Sequence, residues 1–317
     1  MALSQVSTLF AQEQSGGMFA VSDFCPRANK HSGNKYFVHS GTGTNASGYG
    51  RNPSAPYATV EYAINNGPTA GQDDVIIVLA GHNEGAADAQ IFDLDIAGLH
   101  VIGCGEGGNR PIFDYDHANA TIDIGADNCS VENVQLRPSV TAVLVAIDLE
   151  AGSTGWVLRD IEVLPGEDGV DVDEFAKGID IKAGSGHGLI ENYKYRQLAG
   201  AAGTVSGISL TGASDDVTMR NIDIVMAGAG LVAPINGDTT LSTNIHIENF
   251  RLQTDAEPGI ELLTGTTGIL GPGLVFGDLA TVAAAIVADG CALYQCEYIE
   301  VAPESGGVIG TPSVNDV

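Results

Sequence analysis

Residues 122–163 read IDIGADNCSVENVQLRPSVTAVLVAIDLEAGSTGWVLRDIEV, and two phrases in this stretch recur along the chain. The first phrase is an apolar-x-apolar pair, and the second opens with Asn or Asp and continues as an alternating strand. The pairs are Ile122/Ile124, Ile147/Leu149, Ile179/Ile181, Ile208/Leu210 and Ile260/Leu262. The alternating segments open at Asn133, Asp160, Asn192, Asn221 and Asn249. Their spacings of 27, 32, 29 and 28 residues (160−133, 192−160, 221−192, 249−221) are typical of a solenoid.

Each phrase alternates apolar and polar residues, so one face of each strand meets a core and the other meets solvent. No coil can bury its apolar face alone, whereas stacked coils pair in parallel and share one core. The Asn or Asp that opens the second phrase suits a corner with left-handed backbone. The pattern therefore predicts an all-β fold, a right-handed single-stranded parallel β-helix of about 8–10 coils. The alternative, a β-sandwich, would show hairpin signals at intervals of about 8–12 residues, and these are missing.

Three segments follow from this pattern. Residues 1–34 carry no repeat, and we predict an extended N-terminal arm that docks on a neighbouring surface, because it has no closed core of its own. Residues 35–301 form the predicted β-helix, whose open end is covered by a short helix within residues 58–67 that buries Val60, Ala63 and Ile64. Residues 302–317 are predicted to form an irregular C-terminal tail or cap.

Composition narrows the classes of partner. Acidic residues outnumber basic ones 40 to 13, giving a net charge of −27. This charge disfavours nucleic acid and anionic membranes as partners. The first ten residues lack the pattern of a secretory signal, and the five cysteines form no CxxC pair. We therefore expect reduced thiols, assembly in a cytoplasm and no cofactor.

The residues before the repeats carry a family resemblance. The order YFV (36–38), GTGTN (41–45), PYATVEYAI (56–64), DVIIVLAG (74–81) and LHVIGCG (99–105) resembles the opening of pectin-lyase-like β-helix proteins. The resemblance implies the same fold, which hosts lyases, hydrolases, epimerases, tailspikes and non-catalytic virion proteins. A non-repeating arm followed at once by this opening resembles phage decoration or cement proteins in its layout.

Two acidic pairs are candidates for catalysis. Asp114 and Asp116 share one face of a strand and are followed by His117, but no Arg partner is evident in the sequence. Asp215 and Asp216 stand in the turn before a repeated strand, where a turn role is favoured.

Metal and sugar sites are the other classes considered. Asp168, Asp171, Asp173 and Glu174 lie in an insertion over residues 165–177 whose spacing differs from that of a calcium loop. His187 lies in a Gly-rich turn, basic residues are too few for a uronate groove, and Trp156 is the only tryptophan. The sequence therefore predicts neither a catalytic group nor a metal site.

These observations favour a non-catalytic virion structural protein, a homotrimeric capsid decoration protein on the exterior of a phage capsid. Its arm would bind the major capsid protein, and several arms on one trimer would act by avidity. The predicted partner-binding residues are Leu3, Val6, Leu9, Phe10, Met18, Phe19, Val21 and Phe24. The alternatives are a carbohydrate-active β-helix enzyme, either a lyase or a hydrolase of the tailspike kind, and a host-surface adhesin.

Overall fold

The structure is a computed structural model that describes residues 25–86, 90–141, 143–166, 173–196, 205–226, 231–255, 258–278 and 285–300. Every pairing between the strands named below is parallel. The strands form one 16-stranded and one eight-stranded sheet, and successive coils stack along both. The predicted parallel β-helix is confirmed.

The 16-stranded sheet contains two runs of stacked strands, and the three longest strands belong to both. The first run is β1 (Lys35–Val38), β2 (Val75–Val78), β5 (His100–Gly103), β8 (Ser130–Glu132), β11 (Val157–Arg159), β14 (Gly188–Arg196), β16 (Asp215–Val225), β18 (Thr243–Asp255), β20 (Gly268–Leu270) and β23 (Cys291–Leu293). The second run adds β3 (Asn83–Ala86), β6 (Ile112–Tyr115), β9 (Gln135–Pro138), β12 (Glu162–Val163), β21 (Gly273–Asp278) and β24 (Cys296–Glu300).

The eight-stranded sheet is built from the apolar-x-apolar pairs. Its strands are β4 (Phe92–Leu94), β7 (Ile122–Ile124), β10 (Val143–Leu149), β13 (Phe175–Ile181), β15 (Ser206–Leu210), β17 (Ile235–Gly237), β19 (Ile260–Leu262) and β22 (Ile286–Val287). The flanking apolar side chains Ile124, Leu149, Ile181 and Leu210 are at most 1% exposed and belong to one continuous core. The middle residue of each pair therefore points outward, because successive side chains of a strand alternate between faces.

The predicted capping helix is present as α1 (Val60–Asn66). Thr59 is its N-cap and accepts a hydrogen bond from the Tyr62 amide at 3.3 Å. Val60, Ala63 and Ile64 are buried, as the sequence pattern predicts. No helix among the described residues has the length and hydropathy needed to cross a bilayer.

The described part of the N-terminal segment packs on the β-helix itself. A 3-10 helix spans Pro26–Lys30, and a second short one spans Gly107–Asn109. Cys25 and Ala28 are buried against the outer face of the first coils, where they contact a cluster that includes Ile77, Ile102 and Cys104. This cover explains why β2 is buried on both faces.

The Asn or Asp at the predicted corner adopts left-handed backbone. The φ angles of Asn133, Asp160, Asn192, Asn221 and Asn249 lie between 51° and 58°. Their side chains also connect the coils, since Asn192 donates to Asp160 Oδ1 at 2.7 Å and Asn221 donates to Asn192 Oδ1 at 2.8 Å. The corner thus stabilises both the turn and the stacking register.

Asn221 provides a test of this corner. Asn221→Ala removes the side-chain hydrogen bonds to Asn192 and Asn249. It also places alanine, which has a Cβ atom but no side-chain amide, in left-handed backbone. We expect a loss of about 2–3 kcal/mol in the free energy of unfolding, measured by urea denaturation. Asn221→Gly removes the same bonds without the backbone cost and should lose less. Equal losses in the two variants would contradict a contribution from backbone conformation.

Candidate active site

Four aspartates stack on the outer face of the eight-stranded sheet, one from each of four successive coils. Asp93 pairs in register with Asp123, Asp123 with Asp148, and Asp148 with Asp180. Stacked strands place equivalent positions about 4.8 Å apart. We call Asp93, Asp123, Asp148 and Asp180 the carboxylate ladder. Ser209, Asn236 and Glu261 continue the same positions in the following coils.

The carboxylate ladder differs from the other outward positions of the β-helix. On the first run, Glu132, Arg159, Glu191 and Arg220 occupy equivalent positions, so the sign of the charge alternates. Arg159 donates to Glu132 at 3.0 Å and to Glu191 at 2.6 Å. Like charges directly opposite each other on a sheet are destabilising, and the carboxylate ladder stacks four of them. Such a cost is typical of functional sites.

The four carboxylates have different partners. Asp180 is closed off, because Lys177 pairs with its Oδ2 at 2.9 Å and Thr211 donates to its Oδ1 at 2.6 Å. Lys182 pairs with Asp148 Oδ2, whereas Asp148 Oδ1 is buried and accepts no hydrogen bond from the described residues.

At the other end of the carboxylate ladder, Asp93 and Asp123 form no ion pair with a lysine like those of Asp148 and Asp180 among the described residues. Gln90 donates to Asp123 Oδ2 at 3.0 Å, and the Asp93 amide donates to Glu61 of α1 at 3.1 Å. Asp93 and Asp123 are both half-buried, so their carboxyl groups are within reach of a ligand on the sheet.

Burial and mutual repulsion favour the protonated forms. Burial, followed by repulsion from Asp95 and Asp123, raises the pKa of Asp93 to about 6. Burial also raises the pKa of Asp123, although the hydrogen bond from Gln90 opposes the shift. Burial raises the pKa of Asp148 as well, against the opposing hydrogen bond from Lys182. At mildly acidic pH this face therefore offers protonated and ionised carboxyl groups side by side.

Two of the sequence candidates serve structural roles. Asp114 accepts two hydrogen bonds from Arg137 of the next coil, at 2.6 and 2.8 Å, so the expectation that it lacks an Arg partner is wrong. Asp114 and Arg137 are neighbours in the parallel register and lie 23 residues apart in the sequence. The sequence interpretation does not compare these two positions. Trp156 is fully buried, so its ring is not available to stack on a sugar.

The structure brings His187 close to the Asp215–Asp216 pair. His187 Nδ1 lies 3.0 Å from Asp216 Oδ2, and Asp216 also accepts from Asn244 at 2.8 Å. Asp215 accepts from Thr243 at 2.5 Å. These hydrogen bonds link consecutive coils, and His187, Asp215 and Thr243 line a shallow pocket of about 290 Å³. Asp215 and Asp216 are the first two residues of β16 and do not stand in a turn before it, so the predicted position is wrong. Asp216 has the left-handed backbone of a corner, with a φ of 57°.

Several predicted residues lie outside the described part of the chain. These are the partner-binding residues Leu3, Val6, Leu9, Phe10, Met18, Phe19, Val21 and Phe24, and the insertion residues Asp168 and Asp171. Asp173 and Glu174 are described, and the backbone of Asp173 forms an isolated antiparallel β-bridge with Thr141. The interaction of the arm with a coat protein stays a prediction.

The sequence interpretation misses the carboxylate ladder, although its signal is present in the repeats. The apolar-x-apolar pattern aligns the pairs by their apolar members and does not compare the middle residues. Those middle residues are Asp123, Asp148 and Asp180 in three consecutive coils. Asp93 belongs to a coil that precedes the first recognised pair.

The sequence matches no protein-family model and no curated protein. Among solved structures, the chain is similar to a GH136 lacto-N-biosidase from Eubacterium ramulus, with 9% identity and a TM-score of 0.40 over 86% of this chain and 68% of that one. It is also similar to an alginate lyase from Paenibacillus sp., with 12% identity and a TM-score of 0.32 over 77% of this chain and 95% of that one.

These comparisons contradict one sequence-based prediction and leave another unsupported. Both similar structures are of enzymes, one a glycoside hydrolase and one a polysaccharide lyase, so the prediction that the chain is not an enzyme is contradicted. The resemblance to phage decoration proteins is unsupported. At these identities and TM-scores, the two enzymes assign neither a substrate nor a residue role to this chain. The carboxylate ladder is one feature of the described residues that can carry chemistry.

Proposed function

We propose that the chain is a glycoside hydrolase that cleaves uncharged glycans on the carboxylate ladder. The observation that carries the proposal is the in-register pair Asp93 and Asp123, two half-buried carboxyl groups with raised pKa values on adjacent coils. Glycosidases use two carboxyl groups, one as a proton donor and one as a nucleophile or base.

The environments of the pair assign the two roles. The main influences on Asp93 all favour its proton, whereas Asp123 accepts a hydrogen bond from Gln90 that favours its charge. Environments that push two pKa values apart define the acid and its partner. Asp93 is therefore the general acid, and Asp123 is the carboxylate that acts on the anomeric carbon.

The strand spacing favours a retaining mechanism. Adjacent coils lie about 4.8 Å apart, close to the separation of about 5–5.5 Å found in retaining enzymes and below the roughly 6.5–9.5 Å of inverting ones. Asp93 gives its proton to the glycosidic oxygen while Asp123 bonds to the anomeric carbon. Water then replaces Asp123 at that carbon and returns a proton to Asp93.

The charge of the surface favours a neutral substrate. Asp93 and Asp123 are surrounded by Asp95, Asp148 and Glu150, and the whole chain carries −27. A polyuronate would meet like charge at this face, which opposes its approach.

A substrate panel tests the proposal. The protein is incubated with neutral oligosaccharides of hexoses and N-acetylhexosamines and, separately, with alginate and polygalacturonate. We expect new reducing ends from a neutral substrate, with retention at the anomeric carbon as followed by proton NMR. Unsaturated products from a polyuronate would show a lyase instead. No product from any neutral glycan would also contradict the proposal.

The activity should depend on pH through the acid. Asp93 must hold its proton, and its pKa is raised to about 6 by burial and then by repulsion from Asp95 and Asp123. We expect kcat/KM to fall about tenfold per pH unit above pH 6. The measurement is a pH–rate profile from pH 4 to 9. A rate that stays constant from pH 5 to 8 would rule out Asp93 as the acid.

A further inference from the structure

Two histidines and one aspartate converge at the edge of the first coils, far from each other in the sequence. His31 follows the 3-10 helix of the N-terminal segment, Asp73 precedes β2, and His100 is the first residue of β5. One ligand atom from each lies within 4.8 Å of the other two, which no other group of three or more His, Cys, Asp and Glu side chains achieves among the described residues. We call these three residues the His–Asp–His cluster.

Both imidazoles point at the same carboxylate oxygen. His31 Nδ1 lies 2.8 Å and His100 Nε2 lies 3.0 Å from Asp73 Oδ1. The two ring centroids lie 3.8 Å apart, with an angle of 32° between the ring planes. Two ring nitrogens and one carboxylate oxygen at this separation form the donor set of a zinc-class ion, which binds nitrogen at about 2.0–2.1 Å and leaves a fourth position for water.

Neighbouring side chains fix the orientation of the donors. Ser130 Oγ lies 2.9 Å from His100 Nδ1, so the ring nitrogen that faces away from the cluster is also engaged. The amide and hydroxyl of Ser32 both donate to Asp73 Oδ2, at 2.5 and 3.1 Å, and leave Oδ1 directed at the imidazoles. Metal-binding histidines and carboxylates are held by partners of this kind.

The three ligand groups are accessible from solvent. The His31 and His100 side chains are 17% and 13% exposed and that of Asp73 is 39% exposed, so an ion can enter from solvent.

We propose that His31, Asp73 and His100 bind one divalent transition-metal ion of the zinc class, which fastens the N-terminal segment to the β-helix. The ion would crosslink three segments, with ligands 42 and 27 residues apart (73−31, 100−73). Such a crosslink closes the first coils, whose outer face is already covered by Cys25 and Ala28. The site lies on the 16-stranded sheet, and its role is independent of the carboxylate ladder.

The test uses the full chain after treatment with a chelator. Zn²⁺ is titrated by calorimetry, and Co²⁺ is used as a visible-absorption probe of tetrahedral coordination. We expect one ion per chain and a higher unfolding temperature with Zn²⁺. His31→Gln and His100→Gln should abolish both effects. Ser130→Ala, which keeps the three ligands, should weaken binding about 10–100-fold.

Control variants separate this site from other metal-binding groups. His246→Gln removes a half-buried histidine of β18, away from the cluster, and should bind metal like the wild type. Cys104→Ala tests the buried Cys25–Cys104 contact, since thiols also bind zinc, and should retain the site. Circular dichroism without metal establishes that each variant folds. Unchanged stoichiometry and stabilisation in folded His31→Gln, or no binding of either metal by the wild type, would overturn the proposal.

Discussion

Asp93→Asn is expected to lower the hydrolysis of a neutral glycan by about 10²–10⁴-fold and, at the same time, to stabilise the protein at pH 7. The loss of rate follows because asparagine has no proton to give to the leaving oxygen. A substrate with an acidic leaving group, such as a nitrophenyl glycoside, needs less help from an acid and should lose less. Asp123→Asn should instead lose activity on both kinds of substrate, because it removes the nucleophile.

The gain in stability follows from the direction of the pKa shift. Burial and repulsion from Asp95 and Asp123 raise the pKa of folded Asp93 to about 6 from its ordinary 3.8. Between these values the folded state holds a proton that the unfolded state has lost, so wild-type stability falls as the pH rises through this window. The amide that replaces the carboxyl group in Asp93→Asn carries no charge at any pH. After allowance for solvent screening of a half-buried group, the variant should gain ~1 kcal/mol above pH 6 and nothing below pH 4.

Urea denaturation at pH 4 and pH 7.5, together with initial rates, measures both effects. Glu248→Gln is the matched control, because it removes a half-buried carboxylate from a different face of the β-helix. It should change neither the rate nor the dependence of stability on pH. A loss of rate accompanied by a loss of stability at pH 7.5 would indicate that Asp93 is structural, which contradicts its assignment as the acid.

The sequence predicts the features of this fold that repeat. The apolar pairs around Asp123, Asp148 and Asp180 must meet a shared core in every coil, so their period is visible in one dimension. The left-handed corner at Asn192 and Asn221 is visible for the same reason, because few residues tolerate that backbone. Both features are local requirements that are imposed again at each turn.

The candidate sites depend on register between coils, and register follows from the lengths of the intervening turns. Asp93 is 30 residues from Asp123, Asp123 is 25 from Asp148, and Asp148 is 32 from Asp180 (123−93, 148−123, 180−148). The apolar pairs already align Asp123, Asp148 and Asp180, whereas Asp93 precedes the first recognised pair and joins them only when the strands are paired. The His–Asp–His cluster is hidden further, because His31 precedes the first strand and no repeat relates it to Asp73 or His100.

Trp156→Ala is expected to cost about 3–5 kcal/mol of stability, the largest effect of a single core substitution that we predict. The indole is fully buried, and it stacks on Gly188 of the next coil. A Cβ atom on Gly188 would lie 2.2 Å from Trp156 Cζ2, so the ring occupies the space that the glycine leaves. Removal of the indole leaves a cavity between two coils that the backbone ladders prevent from collapsing.

The indole also anchors a buried hydrogen-bond chain that ends beside the carboxylate ladder. Trp156 Nε1 donates to Ser185 Oγ at 2.9 Å, Ser185 Oγ lies 3.1 Å from Ser153 Oγ, and Ser153 donates to the Glu150 carbonyl at 2.9 Å. Trp156→Phe fills most of the cavity but breaks this chain, and Ser185→Ala breaks it while leaving the ring in place. Both should lose about 1–3 kcal/mol, measured by urea denaturation.

The three variants separate packing from hydrogen bonding at the corner between the two sheets. Coils contact only their neighbours, so hydrogen exchange should increase first in β11 and β14, the strands on either side of the lost ring. Glu150 contributes to the raised pKa of Asp123, and a shift of its turn should also alter the pH–rate profile. A loss of less than ~1 kcal/mol in the unfolding free energy of Trp156→Ala would show that the coils close around the cavity. Rigid stacking of the coils would then not explain the register of the carboxylate ladder.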